Sequence, residues 1–106
     1  MAATTILAGL LLSCAGAQTP RDRITDPGEM IFNGFTVADV DCYKCHKGDG
    51  SGTWRGPNLA EQVPKLSDAA LEQAINDGPG MMPAFKGKLD AQQMSVLTAW
   101  LRGRFR

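Results

Sequence analysis

The chain has 106 residues, a length that accommodates one domain. Lysine plus arginine and aspartate plus glutamate each total 11, and the resulting zero net charge argues against a nucleic-acid-binding protein, which needs a basic excess. With 21% charged and 43% hydrophobic residues, the composition is that of a globular protein and not of a disordered one.

The N-terminal segment resembles a secretory signal. It carries no charge before Arg21, and its apolar run, Ile6 to Leu12, is much shorter than the roughly 20 residues of a membrane-spanning helix. Two processing routes are present: cleavage before Gln18, after Ala-Gly-Ala, and the lipoprotein-like sequence Leu-Leu-Ser-Cys, in which Cys14 would be acylated. No lysine or arginine precedes the apolar run, so a buried N-terminal helix is the alternative.

These features predict the organisation of the chain. We expect a signal over residues 1–17, a short flexible tether over 18–27 and one folded domain over 28–106.

The folded part is predicted to be all-α, with three to five helices and long loops. The first helix should begin after Asp26, because aspartate is a good N-cap and Pro27 suits the first turn. Gly34 should end it, and a further helical turn is expected from Val37 through Val40 into the segment 42–46. The glycine-rich residues 47–58 are predicted to form a loop.

The second half contains two further predicted helices. Ser67 and Asp68 open one of them, and Gly78 closes it. Asp90 caps the last, which has apolar residues at helical spacing: Met94, Leu97, Leu101 and Phe105. No alternating strand pattern is visible in the sequence.

A domain this small needs support beyond its own side chains. Four Phe, two Trp and one Tyr bury little apolar surface, and three cysteines, one of them in the predicted signal, are too few for a disulfide framework. We therefore expect the core to contain something other than the chain's own side chains.

The sequence Cys42-Tyr43-Lys44-Cys45-His46 is C-x-x-C-H, the attachment sequence of c-type haem. On a helix, positions i, i+3 and i+4 share one face, so both thiols and the imidazole point the same way. The two thiols can then add to the two vinyl groups of one porphyrin edge while His46 reaches the iron. A zinc site, a thioredoxin-like dithiol and a plain disulfide are the alternatives.

The second axial iron ligand is predicted to be Met82, because a thioether is common in electron-transfer haems. Met81 and Met82 both lie in a loop rich in Gly and Pro, whereas Met30 and Met94 fall on helix faces. Met82 precedes Pro83, which favours an extended backbone, and Met81 would then point to the opposite side.

Together these motifs make the chain resemble class I cytochrome c, in its short bacterial monohaem form, over residues 28–104. The resemblance rests on C-x-x-C-H, on Gly-Pro-Asn-Leu at 56–59 and on Met-Pro-Ala-Phe at 82–85. It implies the cytochrome c fold around one covalently bound haem, contact between the first and last helices through Gly28, Phe32 and Trp100, and a Pro57 carbonyl that orients His46.

The resemblance implies a one-electron carrier and not an enzyme, working outside the cytoplasm and bound to a membrane at most through lipid on Cys14. A haem enzyme or sensor with a labile Met82, and a fixed subunit of an oxidase or dehydrogenase complex, are the alternatives.

Surface residues near the motifs suggest further contacts. Trp54 and Arg55 could donate to a haem propionate or could simply be surface residues. Four lysines flank the haem motif and the Met82 loop and could dock an acidic redox partner: Lys44, Lys47, Lys86 and Lys88.

Overall fold

The computed structural model describes residues 17–106, and this part is built from helices and loops. The helices are α1 (Pro27–Phe32), α2 (Tyr43–His46), α3 (Leu59–Gln62), α4 (Asp68–Asp77) and α5 (Ala91–Arg104), with 3-10 turns at Arg21–Arg23 and Val63–Lys65. The predicted all-α class is therefore confirmed. Within the described range no helix is long and apolar enough to cross a membrane.

The helices begin where local capping is available. The Asp26 carboxylate accepts hydrogen bonds from the amides of Gly28 and Glu29, and the Ser67 hydroxyl accepts from Ala70 at the start of α4. Asp90 and Gln93 form a reciprocal capping box on α5. Because these caps satisfy amides that lack helical partners, the starts of all three helices could be predicted from sequence.

The first and last helices cross at close range and form the centre of the core. A Cβ on Gly28 would lie 2.1 Å from the carbonyl oxygen of Val96, so glycine is required for this approach. The Phe32 and Trp100 ring centroids are 4.9 Å apart, and the Trp100 indole donates to the Glu29 carboxylate at 3.1 Å. These contacts agree with the pairing of Gly28, Phe32 and Trp100 expected from the resemblance.

Arg102 joins α5 to the middle of the chain. Its guanidinium donates to the Asp68 carboxylate at 2.7 Å, to the Val63 carbonyl at 2.8 Å and to the Leu66 carbonyl. The segment after α3 is thereby held in place, which matters because Val63 and Leu66 form part of the cavity wall described below.

Two local predictions differ from the structure. The expected helical turn from Val37 to Val40 is not helical, and α2 begins only after Cys42, because Asp39 has a φ of 63°, which no right-handed helix accommodates. Helix α3 was not predicted, since four residues after a glycine-rich loop are too few to show helical periodicity.

The segment predicted to be a tether contacts the folded domain. The Thr19 amide donates to the Asn33 side-chain oxygen at 3.0 Å, and Ile24 is buried. Ala17, the last residue of the predicted signal, accepts a hydrogen bond from the Gly48 amide at 3.1 Å. Cys14 and the rest of the predicted signal before Ala17 lie outside the described residues.

Candidate cofactor site

A cavity of about 460 Å³ lies between α2, the segment 55–66, helix α4 and the loop that follows α4. This volume falls within the range of small-molecule and cofactor pockets. The wall is mostly apolar and draws on distant parts of the chain, including Phe32, Leu59, Val63, Leu71, Ile75, Phe85, Leu97 and Leu101. A flat apolar body with few polar groups fits such a space.

The C-x-x-C-H residues stand together on this wall, as their helical spacing predicts. Cys42, Cys45 and His46 all line the cavity, and both thiols are free. Burial, the largest cause, raises the pKa of the Cys42 thiol to about 12. The Cys42 thiol is therefore neutral at physiological pH.

His46 is held by the chain that passes beside it. Its Nδ1 lies 2.9 Å from the carbonyl oxygen of Pro57, so the ring donates from Nδ1 and presents Nε2 as the free nitrogen. A Cβ on Gly56 would come within 2.9 Å of the ring, which requires glycine at that position. Burial lowers the pKa of His46, partly offset by the hydrogen bond to Pro57. A neutral, oriented imidazole is the form that binds a metal.

The two loop methionines are placed differently. Met82 is half-buried and lines the cavity, whereas Met81 is 63% exposed and is not part of the wall. The loop folds back on the end of α4, where Gly78 has a φ of 63° and a Cβ would meet the backbone of Met82 and Ala84 at 2.5 Å. The Met82 side of the loop therefore faces the cavity.

The two candidate propionate contacts, Trp54 and Arg55, lie in different places relative to the cavity. Arg55 lines the cavity, but Trp54 is 74% exposed and does not contribute to the wall. The Arg55 guanidinium lies 4.9 Å from the centroid of the Trp54 ring. Arg55 is therefore the member of the pair that is placed to reach a group in the cavity.

The four lysines near the motifs are exposed. Lys44 is paired with Asp41 at 2.6 Å, so part of its charge is cancelled locally. The ammonium of Lys88 lies 5.8 Å from the Phe85 ring centroid, which places it beside a residue of the cavity wall.

Sequence reasoning missed much of the apolar wall. Gln62, Val63 and Leu66 line the cavity from α3 and the turn after it, and no local pattern predicted that this segment turns inward. Val63 is fully buried, yet it precedes Pro64 in a stretch of mixed polarity, so periodicity offered no signal.

Comparison with known proteins shows similarity to small cytochromes. A family model described as cytochrome c oxidase, cbb3-type, subunit III matches residues 25–101. The chain is 31% identical over 96 residues to cytochrome c-551 of Bacillus subtilis (strain 168), which covers 87% of this chain and 83% of that protein. It is 29% identical over 83 residues to cytochrome c6 of Nostoc sp. (strain PCC 7120), with 68% of each chain covered.

Two further matches bear on fold and architecture. FixP, a cbb3-type cytochrome c oxidase subunit of Bradyrhizobium diazoefficiens, is 28% identical over 100 residues, which cover 90% of this chain but 32% of FixP. A solved structure, the KustC0563 c-type cytochrome, superposes with a TM-score of 0.53 at 34% identity, covering 61% of this chain and 88% of that one.

The fold and the cavity wall thus define a protein built around a haem of the c type. The chain belongs to the cytochrome c family. Its cofactor is covalent haem c, for which Cys42 and Cys45 supply the attachment sequence, and the apolar cavity with two thiols and one oriented imidazole fits that group.

Proposed function

We propose that this chain is a one-electron carrier, not an enzyme, and that His46 and Met82 are the axial ligands of its iron. The observation that supports this most is the shared cavity wall, to which the two thiols, the imidazole and one of two adjacent thioethers all contribute. Haem iron would supply a one-electron couple when bound, and if His46 and Met82 both held it, no open position would be left for a substrate.

Each residue has a separate task in this proposal. Cys42 and Cys45 would hold the haem through two thioether bonds, each formed by adding one S–H across one vinyl group, with the sulfur on one carbon and the hydrogen on the other. Pro57 holds the imidazole through Nδ1, and the apolar wall excludes water. We propose that Arg55 pairs with a haem propionate. Trp54 lies off the cavity wall and takes no part in that contact.

Expression together with haem-maturation enzymes tests the attachment and the ligation. The expected product gains the mass of one haem, keeps its colour after acid–acetone extraction, and shows a low-spin spectrum that carbon monoxide does not change. Extractable colour would contradict thioether attachment, and carbon monoxide binding to the wild-type protein would favour the enzyme or sensor alternative.

A fixed subunit of an oxidase complex is the second candidate. It is favoured by the family model for a cbb3-type oxidase subunit and by the match to FixP. Purification from native membranes under mild conditions separates the two functions: a carrier is recovered alone, whereas a fixed subunit is recovered with its partners in constant ratio.

We also propose that the protein works outside the cytoplasm, either free in the periplasm or anchored through lipid on Cys14. The uncharged apolar N-terminus and the Leu-Leu-Ser-Cys sequence support this location. Redox proteins with an acidic docking face are the proposed partners, and the exposed lysines around the cavity support that choice.

A further inference from the structure

A tight turn over Thr53–Gly56 is fastened to the end of helix α2. The Thr53 amide donates to the Gly56 carbonyl at 2.9 Å, and the Gly56 amide donates to the Thr53 carbonyl at 3.3 Å. The Thr53 hydroxyl donates to the Cys45 carbonyl at 2.7 Å, and the Gly52 amide donates to the His46 carbonyl at 2.9 Å. Carbonyls at the end of a helix lack helical partners, so this turn satisfies two of them.

Two hydrogen bonds fix the orientation of the Thr53 hydroxyl. It accepts the Arg55 amide at 3.0 Å while it donates to Cys45. One side chain therefore joins the haem-binding helix to the inside of the turn. The next residue after the turn is Pro57, whose carbonyl accepts the hydrogen bond from His46.

We propose that Thr53 is a positioning residue that holds the Pro57 carbonyl against His46 and so tunes the iron, an inference that rests on the proposed ligation by His46. Hydrogen bonding at Nδ1 makes the imidazole a more basic ligand. A more basic ligand favours ferric over ferrous iron and lowers the midpoint potential. Loss of the Thr53 hydroxyl lets the turn move away from α2, lengthens the Pro57 hydrogen bond and raises the potential.

Substitutions in the haem-loaded protein separate the hydroxyl from the shape of the side chain. Thr53→Val keeps the branched shape and removes the hydroxyl, whereas Thr53→Ser keeps the hydroxyl. Thr98→Val is the matched control, because the Thr98 hydroxyl donates within α5 to the Met94 carbonyl and lines no part of the cavity. The measurements are the midpoint potential and, by NMR of the reduced protein, the exchange rate of the His46 Nδ1 proton.

The expected result is a higher potential and at least about tenfold faster Nδ1 proton exchange in Thr53→Val. Thr53→Ser and Thr98→Val should match the wild type in both measurements. If Thr53→Val yields no holoprotein, Thr53→Ala provides the same comparison against Thr53→Ser.

Unchanged potential and exchange in Thr53→Val, or an equal change in Thr53→Ser or Thr98→Val, would overturn the role of Thr53. In those cases a low-spin wild-type spectrum leaves the proposed function standing. A wild-type holoprotein without low-spin iron would overturn both.

Discussion

Met81 and Met82 are neighbours in the chain, but only Met82 lines the cavity, while Met81 is largely exposed. The extended backbone expected before Pro83 is not present: the Met82 amide donates to the Pro79 carbonyl at 3.2 Å, so Gly80 and Met81 lie within a turn and Met82 follows it. A protein that used Met81 would need the loop to shift by one residue, which the close packing at Gly78 opposes.

The first prediction follows from this pair. Met82→Ala should open the iron: the potential falls, the methionine–iron charge-transfer band disappears, and the reduced protein binds carbon monoxide. Met81→Ala is the matched control and should leave all three unchanged. The reverse result would assign the ligand to Met81, and no effect in either variant would give His46 a different partner.

The second prediction concerns the crossing of α1 and α5. Gly28→Ala should destabilise the protein by about 1–3 kcal/mol, because the new methyl group has no space beside the Val96 carbonyl. Gly103→Ala, with no atom within 4 Å of its new Cβ, should stabilise α5 by up to about 1 kcal/mol. Urea unfolding of both variants measures the difference; equal stability of Gly28→Ala and wild type would mean that the helices cross less closely.

The third prediction uses the single histidine of the chain. Burial lowers the pKa of His46 in the folded protein, so the unfolded chain binds the proton more readily. Stability should be complete above the ordinary histidine pKa of about 6.5 and should decrease as the pH falls from there toward the lower folded value. Ligation to iron would also make the protein less stable at lower pH, because only the neutral imidazole binds iron.

Denaturant unfolding of the holoprotein between pH 8 and pH 5 measures this slope. Asp49 does not confuse the result, because the Ser51 amide lowers the pKa of that carboxyl and confines its own contribution to more acidic conditions. A free energy of unfolding that stays constant over this range would contradict the prediction, because it would mean that His46 takes up a proton equally readily in the folded and the unfolded protein.

The fourth prediction concerns the exposed lysines that follow the Met82 loop. Oxidation by the ferricyanide anion should slow with added salt, and Lys86→Glu plus Lys88→Glu should slow it about two- to tenfold at low ionic strength. Lys65→Glu, at an exposed lysine on the 3-10 turn, is the control for a general change of charge. Rates independent of salt, or an equal effect of Lys65→Glu, would argue against a local docking field.

The fifth prediction concerns the N-terminus. Acylation of Cys14 should give a mature chain that begins at that residue and partitions with membranes, and mass spectrometry of the native protein identifies the first residue. A chain beginning at Gln18 would instead indicate a free periplasmic carrier.

The sequence by itself determined the features that depend on neighbours along the chain. The helical spacing of Cys42, Cys45 and His46 places them on one face, and caps such as Asp26 and Ser67 mark helix starts, because these effects act within a few residues. Resemblance to the cytochrome c family added the expectation that the Pro57 carbonyl orients His46. In the structure, that carbonyl oxygen lies 2.9 Å from Nδ1 of His46.

Only the tertiary structure decided the features that depend on packing between distant segments. It placed Arg55 on the cavity wall and Trp54 outside it, turned Val63 and Leu66 inward, and joined the Thr53 hydroxyl to Cys45. Short segments such as α3 and the turn at 53–56 carry no periodicity of their own. Their positions follow from hydrogen bonds and apolar contacts to residues far away in the sequence, which no local pattern records.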